Sequence, residues 1–235
     1  MRSLRFVRSA AFAVFSCAVV SRPAFAAEAQ ASGPQQVIEL YQSQGCSSCP
    51  PANAVLNSLA DRKDLITLSF AVTYWDDLGW KDRFAQPAFT QRQKDYATAY
   101  RRPDVSTPQM VINGRGFIVG TTAAEVTQGL ATYARRGPEP QVALNGGRLS
   151  IGAGAGTAQV WWVTYDPKSL DVPITAGENN GRTLRHRHIV KSLTKIADWT
   201  GKPVSVNVPP AAAGLDTAVL LQAGQGGPIV AARAF

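Results

Sequence analysis

The spacing of apolar residues changes several times along the chain, and each change predicts an element. "VIELYQ", Val37 to Gln42, joins β-branched and aromatic residues without a breaker and reads as a strand. "ANAVLNSLADR" then places Ala52, Val55, Leu56 and Leu59 at helical spacing. "LITLSFAV", Leu65 to Val72, is a continuous apolar run of strand length, the pattern of a strand buried on both faces. In the aromatic segment that follows, Phe89, Tyr96, Ala97 and Tyr100 mark a second helix. "STPQMVINGRGFIVG" predicts a strand ending at Ile112, an Asn113-Gly114 turn and a strand from Gly116 to Val119, because Asn-Gly between apolar runs signals a hairpin. Thr121 is expected to cap a third helix with Val126, Leu130 and Tyr133 on one face.

Beyond "RRGPEP", Arg135 to Pro140, the pattern turns to short strands with glycine turns. Asn145-Gly146 and Asn180-Gly181 mark hairpins, and around Trp161 and Trp162 both faces of the strand are apolar. About seven strands at regular spacing predict a β-sandwich. "IVKSLTKIADW" fits either a short helix or a further edge strand.

Composition alters this picture at the N-terminus. Arg2, Arg5 and Arg8 precede an apolar run from Ala10 to Val20 and small residues at Ala24 and Ala26, which reads as a secretory signal cut between Ala26 and Ala27. The run falls short of the ~20 apolar residues of a membrane span. The chain carries 24 basic and 16 acidic residues, +8 in all; losing Arg2, Arg5, Arg8 and Arg22 with the signal lowers this to +4. That is too mild for the basic stripe of a nucleic-acid binder. The expected organisation is a signal peptide over residues 1–26, a tail over 27–36, one domain over 37–137 and a second over 138–235, in a soluble periplasmic or secreted protein. Nothing in the pattern specifies an oligomeric state.

Cys17 leaves with the signal, so Cys46 and Cys49 of "SQGCSSCPP" have only each other as intramolecular partners in an oxidising compartment. They sit at a strand-to-helix turn. The pair can be redox-active, half of a metal site or a structural clip. A helix start favours negative charge, so Cys46 is expected to be the more exposed, attacking thiolate, with Cys49 resolving and Ser47 and Ser48 donating to it. Pro50 disfavours the helical region for Cys49, which leaves the helix register open. A metal site needs one or two further ligands, and His186 and His188 are the only histidines. On a regular strand they share a face with Leu184 and Val190. The alternative reading is therefore a periplasmic copper- or zinc-binding assembly factor with the ligand set Cys46, Cys49, His186 and His188; otherwise no cofactor beyond the disulfide is expected. A non-catalytic binding module with a structural disulfide is the third reading.

The order strand, CxxC, helix, strand, helix, proline-led hairpin, helix over Val37 to Arg136 resembles the thioredoxin fold. The expected fold class is thus an α/β thioredoxin-like domain followed by a mostly-β, sandwich-like domain. The resemblance implies that Pro108 is cis and that, with Thr107, it faces the cysteines and presents backbone groups to an incoming peptide. It further implies an exported thiol-disulfide oxidoreductase whose partners are protein thiols or disulfides of the cell envelope. Thioredoxins carry a buried acid six residues before the first cysteine; here that position is Leu40, and Glu39 lies one residue earlier, on the other strand face, a candidate supporting acid if a bulge turns it back and otherwise a strand-end or solvated acid. "LYQSQGCSSCPPANAVL", "YWDDLGWKDRFA" and "TPQMVING" together resemble a secreted bacterial family known only as a domain of unknown function, DUF1223. Trp75 is a candidate groove or core residue, Asp76 a candidate proton acceptor, and Arg92 is expected on a solvated helix face. Arg182, Arg185, Arg187, Lys191 and Lys195 form a basic cluster suited to an anionic partner or to guarding an edge strand.

Overall fold

A strand with no exposed face needs cover on both sides, and two successive parts of the chain have that character: Gln36–Gln42 (β1) and Leu65–Ala71 (β2). The computed structural model describes residues 33–235. The expected signal segment lies outside the described residues. Between β1 and β2 runs α1 (Pro50–Leu59); after β2 come α2 (Pro87–Ala99), β3 (Gln109–Ile112), β4 (Gly116–Ile118) and α3 (Ala123–Thr132). The rest is strand: β5 (Val142–Asn145), β6 (Arg148–Ile151), β7 (Ala158–Asp166), β8 (Leu170–Pro173), β9 (Thr183–His186), β10 (Ile189–Trp199), β11 (Val204–Asn207), β12 (Asp216–Gln222) and β13 (Ile229–Ala234).

Eight strands form one mixed sheet in the order β13-β12-β7-β10-β2-β1-β3-β4. β1 and β2 are parallel in a register pairing Gln36 with Leu65, and β3 runs antiparallel to β1. The seam between the two halves is β10 beside β2, fixed by the Ile189–Ser69 pair and the Ser69 amide donating to the His188 carbonyl at 2.9 Å. This overturns the expected fold class. There is no thioredoxin-like α/β domain followed by a separate sandwich; β7, β10, β12 and β13 extend the sheet that β1 to β4 begin, and the protein is mostly β with three short helices. The physical reason lies in β2: with both faces buried and β1 on one edge, its other edge has backbone groups that must be paired, and the start of β10 with His188 before it, together with Gln86 N donating to Ala71 O at 3.3 Å, meets them. The segment left open between helix and edge strand is this β10, an eleven-residue strand inside the sheet.

Alternation sends Val37 and Tyr41 of β1 and Leu68 and Phe70 of β2 to one face, where Phe89 and Tyr96 of α2 pack on them. Ile38 and Leu40 go to the other face, under Ala52 and Leu56 of α1 and Val126 of α3. Farther along, Val160 and Trp162 of β7 and Val219 and Leu221 of β12 pack with Leu149 and Ile151 of β6, which belongs to a small sheet ordered β11-β6-β5. β8 and β9 form a two-stranded ribbon whose Val172 and Leu184 pack against Trp80 and Phe84.

The β3–β4 turn has Asn113 and Gly114 both at positive φ, 53° and 60°, as an Asn-Gly hairpin requires. A Cβ on Gly114 would lie 2.5 Å from the Gly227 carbonyl oxygen, so only glycine fits. The cap of α3 is Thr122, one residue later than expected: its Oγ1 accepts from the Glu125 amide at 3.2 Å, while the Glu125 carboxylate accepts from Thr121 N at 3.1 Å. Glu125 thus reaches back around the helix start. Among the described residues no helix is long and apolar enough to cross a membrane.

Candidate functional site

β1 delivers its last residues into a turn, and the turn delivers Cys49 to the N-cap of α1. Cys46 N donates to Ser43 O at 3.1 Å, Cys49 N to Cys46 O at 3.2 Å, and Asn53 N to Cys49 O at 3.1 Å. Cys49 is helical, φ −78° and ψ −31°, although a proline follows it. Prolines are tolerated at the first helical positions, but Pro50 and Pro51 have no N–H groups to offer. Cys46 and Cys49 form a disulfide with Cα atoms 5.4 Å apart. Ser48 Oγ lies 3.3 Å from Cys46 Sγ, so a side-chain hydroxyl stands where helix amides are scarce. Contrary to the expected exposure of Cys46, both cysteines are 0% exposed; Ser47 and Ser48 form the outer surface of the loop.

One wall comes from the segment between β2 and α2. The Asp82 carboxylate accepts from Gln44 N and Phe84 N at 2.8 and 2.9 Å. Burial pushes this carboxyl up to about 6, with Asp76 adding to the rise and the two amides opposing it. Trp80 Nε1 donates to Gln44 Oε1 at 3.0 Å, and Trp75 Nε1 donates to Thr107 Oγ1 at 2.8 Å. Asp76 does not reach the cysteines; its Oδ1 accepts from Asp82 N at 3.1 Å. A second wall is Thr107-Pro108, a cis peptide, whose Thr107 carbonyl accepts a long 3.4 Å hydrogen bond from Ser48 Oγ.

The third wall comes from the loop joining β8 to β9. Asn179, fully buried, donates through Nδ2 to the carbonyls of Gln44 and Cys46, both at 2.9 Å. The Glu178 carboxylate accepts from Ser47 N at 3.0 Å, and this contact with Ser47 holds the carboxyl below its ordinary value. The two loops meet backbone to backbone. Gly79 and Gly177 both have positive φ, and a Cβ on Gly177 would come within 3.0 Å of Trp80 Cβ.

Glu39 lies on the other side of β1 and makes no bond to either cysteine. It is fully buried and accepts from Arg92 Nε at 2.7 Å, Arg92 Nη2 at 2.9 Å, Tyr41 OH at 2.8 Å and Tyr96 OH at 2.7 Å. Burial, followed by the nearby carboxylate for Tyr41, raises the phenol well above its usual value; Tyr96 is likewise raised, chiefly by burial. Both tyrosines stay protonated donors. Arg92 is therefore inward, not solvated as expected, because Glu39 and Gln222 Oε1, 2.9 Å from Nη1, satisfy its charge and donors.

The histidines do not join the cysteines. His188 has φ 52° and breaks the strand pattern between β9 and β10, so the expected shared face does not exist. Its Nδ1 lies 2.8 Å from Thr67 Oγ1 and 3.0 Å from Thr67 O. His186 is fully buried beside Phe84 with both ring nitrogens unpartnered, and burial, helped by the Arg83 charge, pushes its pKa down to about 4. Among the described residues no three His, Cys, Asp or Glu side chains gather as a metal site. Sequence reading missed Asp82, Glu178 and Asn179. The first was visible as the third acid of "YWDDLGWKD", and the others were hidden in a turn signal, "ENNG".

Two solved structures share this architecture. Protein AGR_C_4864 from Agrobacterium tumefaciens is 30% identical, with a TM-score of 0.74 over 87% of this chain and 95% of that one. HBP35 of Porphyromonas gingivalis is 10% identical, with a TM-score of 0.62 over 86% of this chain and 74% of that one, a likeness of fold alone. No curated protein matches the chain. Residues 37–222, from the strand before the cysteines to the end of β12, match the model described as protein of unknown function DUF1223, and the chain belongs to that family.

Proposed function

We propose that the protein is an exported thiol-disulfide exchange protein whose redox group is Cys46–Cys49 and whose partners are thiols or disulfides of the cell envelope. The observation that carries this reading is how the loop is fastened. Asp82 holds Gln44, Asn179 holds Gln44 and Cys46, and Glu178 holds Ser47, none of them through a sulfur atom. A bridge between residues three apart gains little from closing so short a loop. A disulfide that is not needed to hold its surroundings is suited to open and close. Ser48 Oγ supports the same reading, since it can donate to a Cys46 thiolate.

The burial of both sulfurs favours a second reading, a structural clip that does not turn over. Two measurements separate them. The exchange reading expects native-state reduction by millimolar dithiothreitol, mixed disulfides trapped from envelope extract by Cys49→Ser, and a loss of no more than about 2 kcal/mol on replacing both cysteines by serine. A disulfide that resists reduction until the protein unfolds, together with a double-serine variant losing several times that stability, would sink it.

A further inference from the structure

The fold takes the basic cluster of the sequence apart. Arg185 pairs with Asp171 at 2.8 Å, Arg187 with Asp61 at 2.7 Å and Lys195 with Asp198 at 2.7 Å, and the Lys191 ammonium lies over the Phe84 ring. Arg182 differs. Its Nη1 donates to Asn179 Oδ1 at 2.8 Å, and among the described residues no carboxylate pairs with it. This exposed guanidinium borders a groove of about 370 Å³ between α1 and β9, lined by Pro50, Asn53, Ala54, Asn57 and Arg185 besides Arg182.

Three features give the groove a ligand chemistry. Its volume is that of a small-molecule site. Arg182 offers a positive charge with several N–H groups to spare, suited to a carboxylate. Asn57 also lines the groove; its Nδ2 donates to Arg185 O at 2.9 Å while its Oδ1 is covered and without a partner, so the amide has to turn to offer that acceptor to a ligand N–H. Carboxylate and N–H together describe an amino-acid or short-peptide ligand. Neither cysteine lines the groove, but two of its residues connect to the disulfide loop: Pro50 follows Cys49, and the Asn179 that Arg182 holds is the residue that grips the Cys46 carbonyl.

We propose that this groove binds an anionic, peptide-like thiol of low molecular mass, or its disulfide, as the exchange partner of Cys46–Cys49. The proposal rests on the exchange reading above. A ligand thiolate attacks one cysteine sulfur, a ligand–protein S–S bond forms, the Cys46–Cys49 bond breaks and the other cysteine leaves as thiolate. A second ligand thiolate then attacks the ligand sulfur of that mixed disulfide. Two ligand thiols become one ligand disulfide, and the two electrons and two protons they lose turn the protein disulfide into two thiols. The reverse sequence oxidises the protein. Because both sulfurs are covered, Ser47 and Ser48 must shift for the first attack.

The test uses the reduced full chain with three disulfides: anionic glutathione disulfide, neutral hydroxyethyl disulfide and cationic cystamine, each rate normalised to that disulfide's rate with free dithiothreitol. The expected order is anionic, neutral, cationic, with an anionic-to-neutral ratio of about fivefold at low salt. The ratio is expected to fall to about one in Arg182→Gln, to recover in Arg182→Lys, and to shrink in the wild type at about 0.5 M salt. A wild-type ratio near one, or a ratio that survives Arg182→Gln, overturns the groove. S-methylglutathione, which cannot exchange, keeps the two proposals apart in calorimetric titration. Arg182-dependent binding of it when no disulfide reacts upholds the groove and removes the exchange reading. Exchange without charge preference and without thioether binding removes the groove and leaves the exchange reading standing.

Discussion

Two buried acids, Glu39 within β1 and Asp82 beyond its end, sit in contrasting surroundings. On the α2 face, Glu39 sits in a closed shell of Arg92, Tyr41 and Tyr96, with Gln222 completing Arg92. Past the end of the strand, Asp82 is almost as deeply buried but has only the Gln44 and Phe84 amides. The Arg83 charge lowers it, but less than burial raises it. A buried carboxylate matched by a guanidinium is a fixed part of the core; one matched by neutral dipoles keeps the ability to take up a proton near neutrality. The disulfide belongs to the second environment.

The largest expected effect tests the closed shell. Arg92→Leu leaves Glu39 buried without its cation and should cost about 3–5 kcal/mol in urea unfolding. A loss below about 1 kcal/mol would mean that Glu39 is held by the tyrosines alone.

The next effect sharpens the other half of the comparison. Asp82 has a folded pKa of about 6 against an ordinary 3.8. The folded state therefore holds the extra proton between these values. The stabilisation this gives is complete below about pH 4 and is lost as pH rises through 6. Relative to Asp82→Asn, the wild type should lose on the order of 2 kcal/mol across that window, since each pKa unit is about 1.4 kcal/mol. A flat difference between the two proteins from pH 4 to 7 would place Asp82 in the fixed class with Glu39.

The smallest concerns the neutral fastening of the cysteine loop. Asn179→Ala removes the donors to Gln44 O and Cys46 O and should cost about 1–2 kcal/mol. It should also speed native-state reduction of the disulfide by dithiothreitol, because the loop is released on the side of the second half. Unchanged reduction kinetics in a destabilised variant would show that Asn179 braces the two halves without controlling the disulfide.

Much of the local structure was legible. The apolar run of β2, the helical spacing after the cysteines and the Asn113-Gly114 turn each act within a few residues, where sterics and hydrogen bonding are decided by near neighbours. Arg92 shows the limit: its helix spacing is that of an ordinary polar position, and only the approach of Glu39 from β1 and Gln222 from β12 makes burial affordable. His186 and His188 show another, since one residue at φ 52° was enough to separate two side chains that regular alternation would have aligned.

The sequence by itself determined where the two cysteines stand, at the junction of a buried strand and a proline-started helix, because strand pattern, helix pattern and proline chemistry are all local. Tertiary structure decided what surrounds them. The pairing of β10 with β2 is a long-range choice of neighbour that apolar patterning does not encode, and it makes one sheet of the two halves. In that fold the β8–β9 loop brings Glu178 and Asn179 more than a hundred residues to the cysteine turn, and Arg182 with them. Backbone hydrogen bonds of the β8–β9 ribbon and the packing of two glycine-bearing loops, not any motif, place those side chains there.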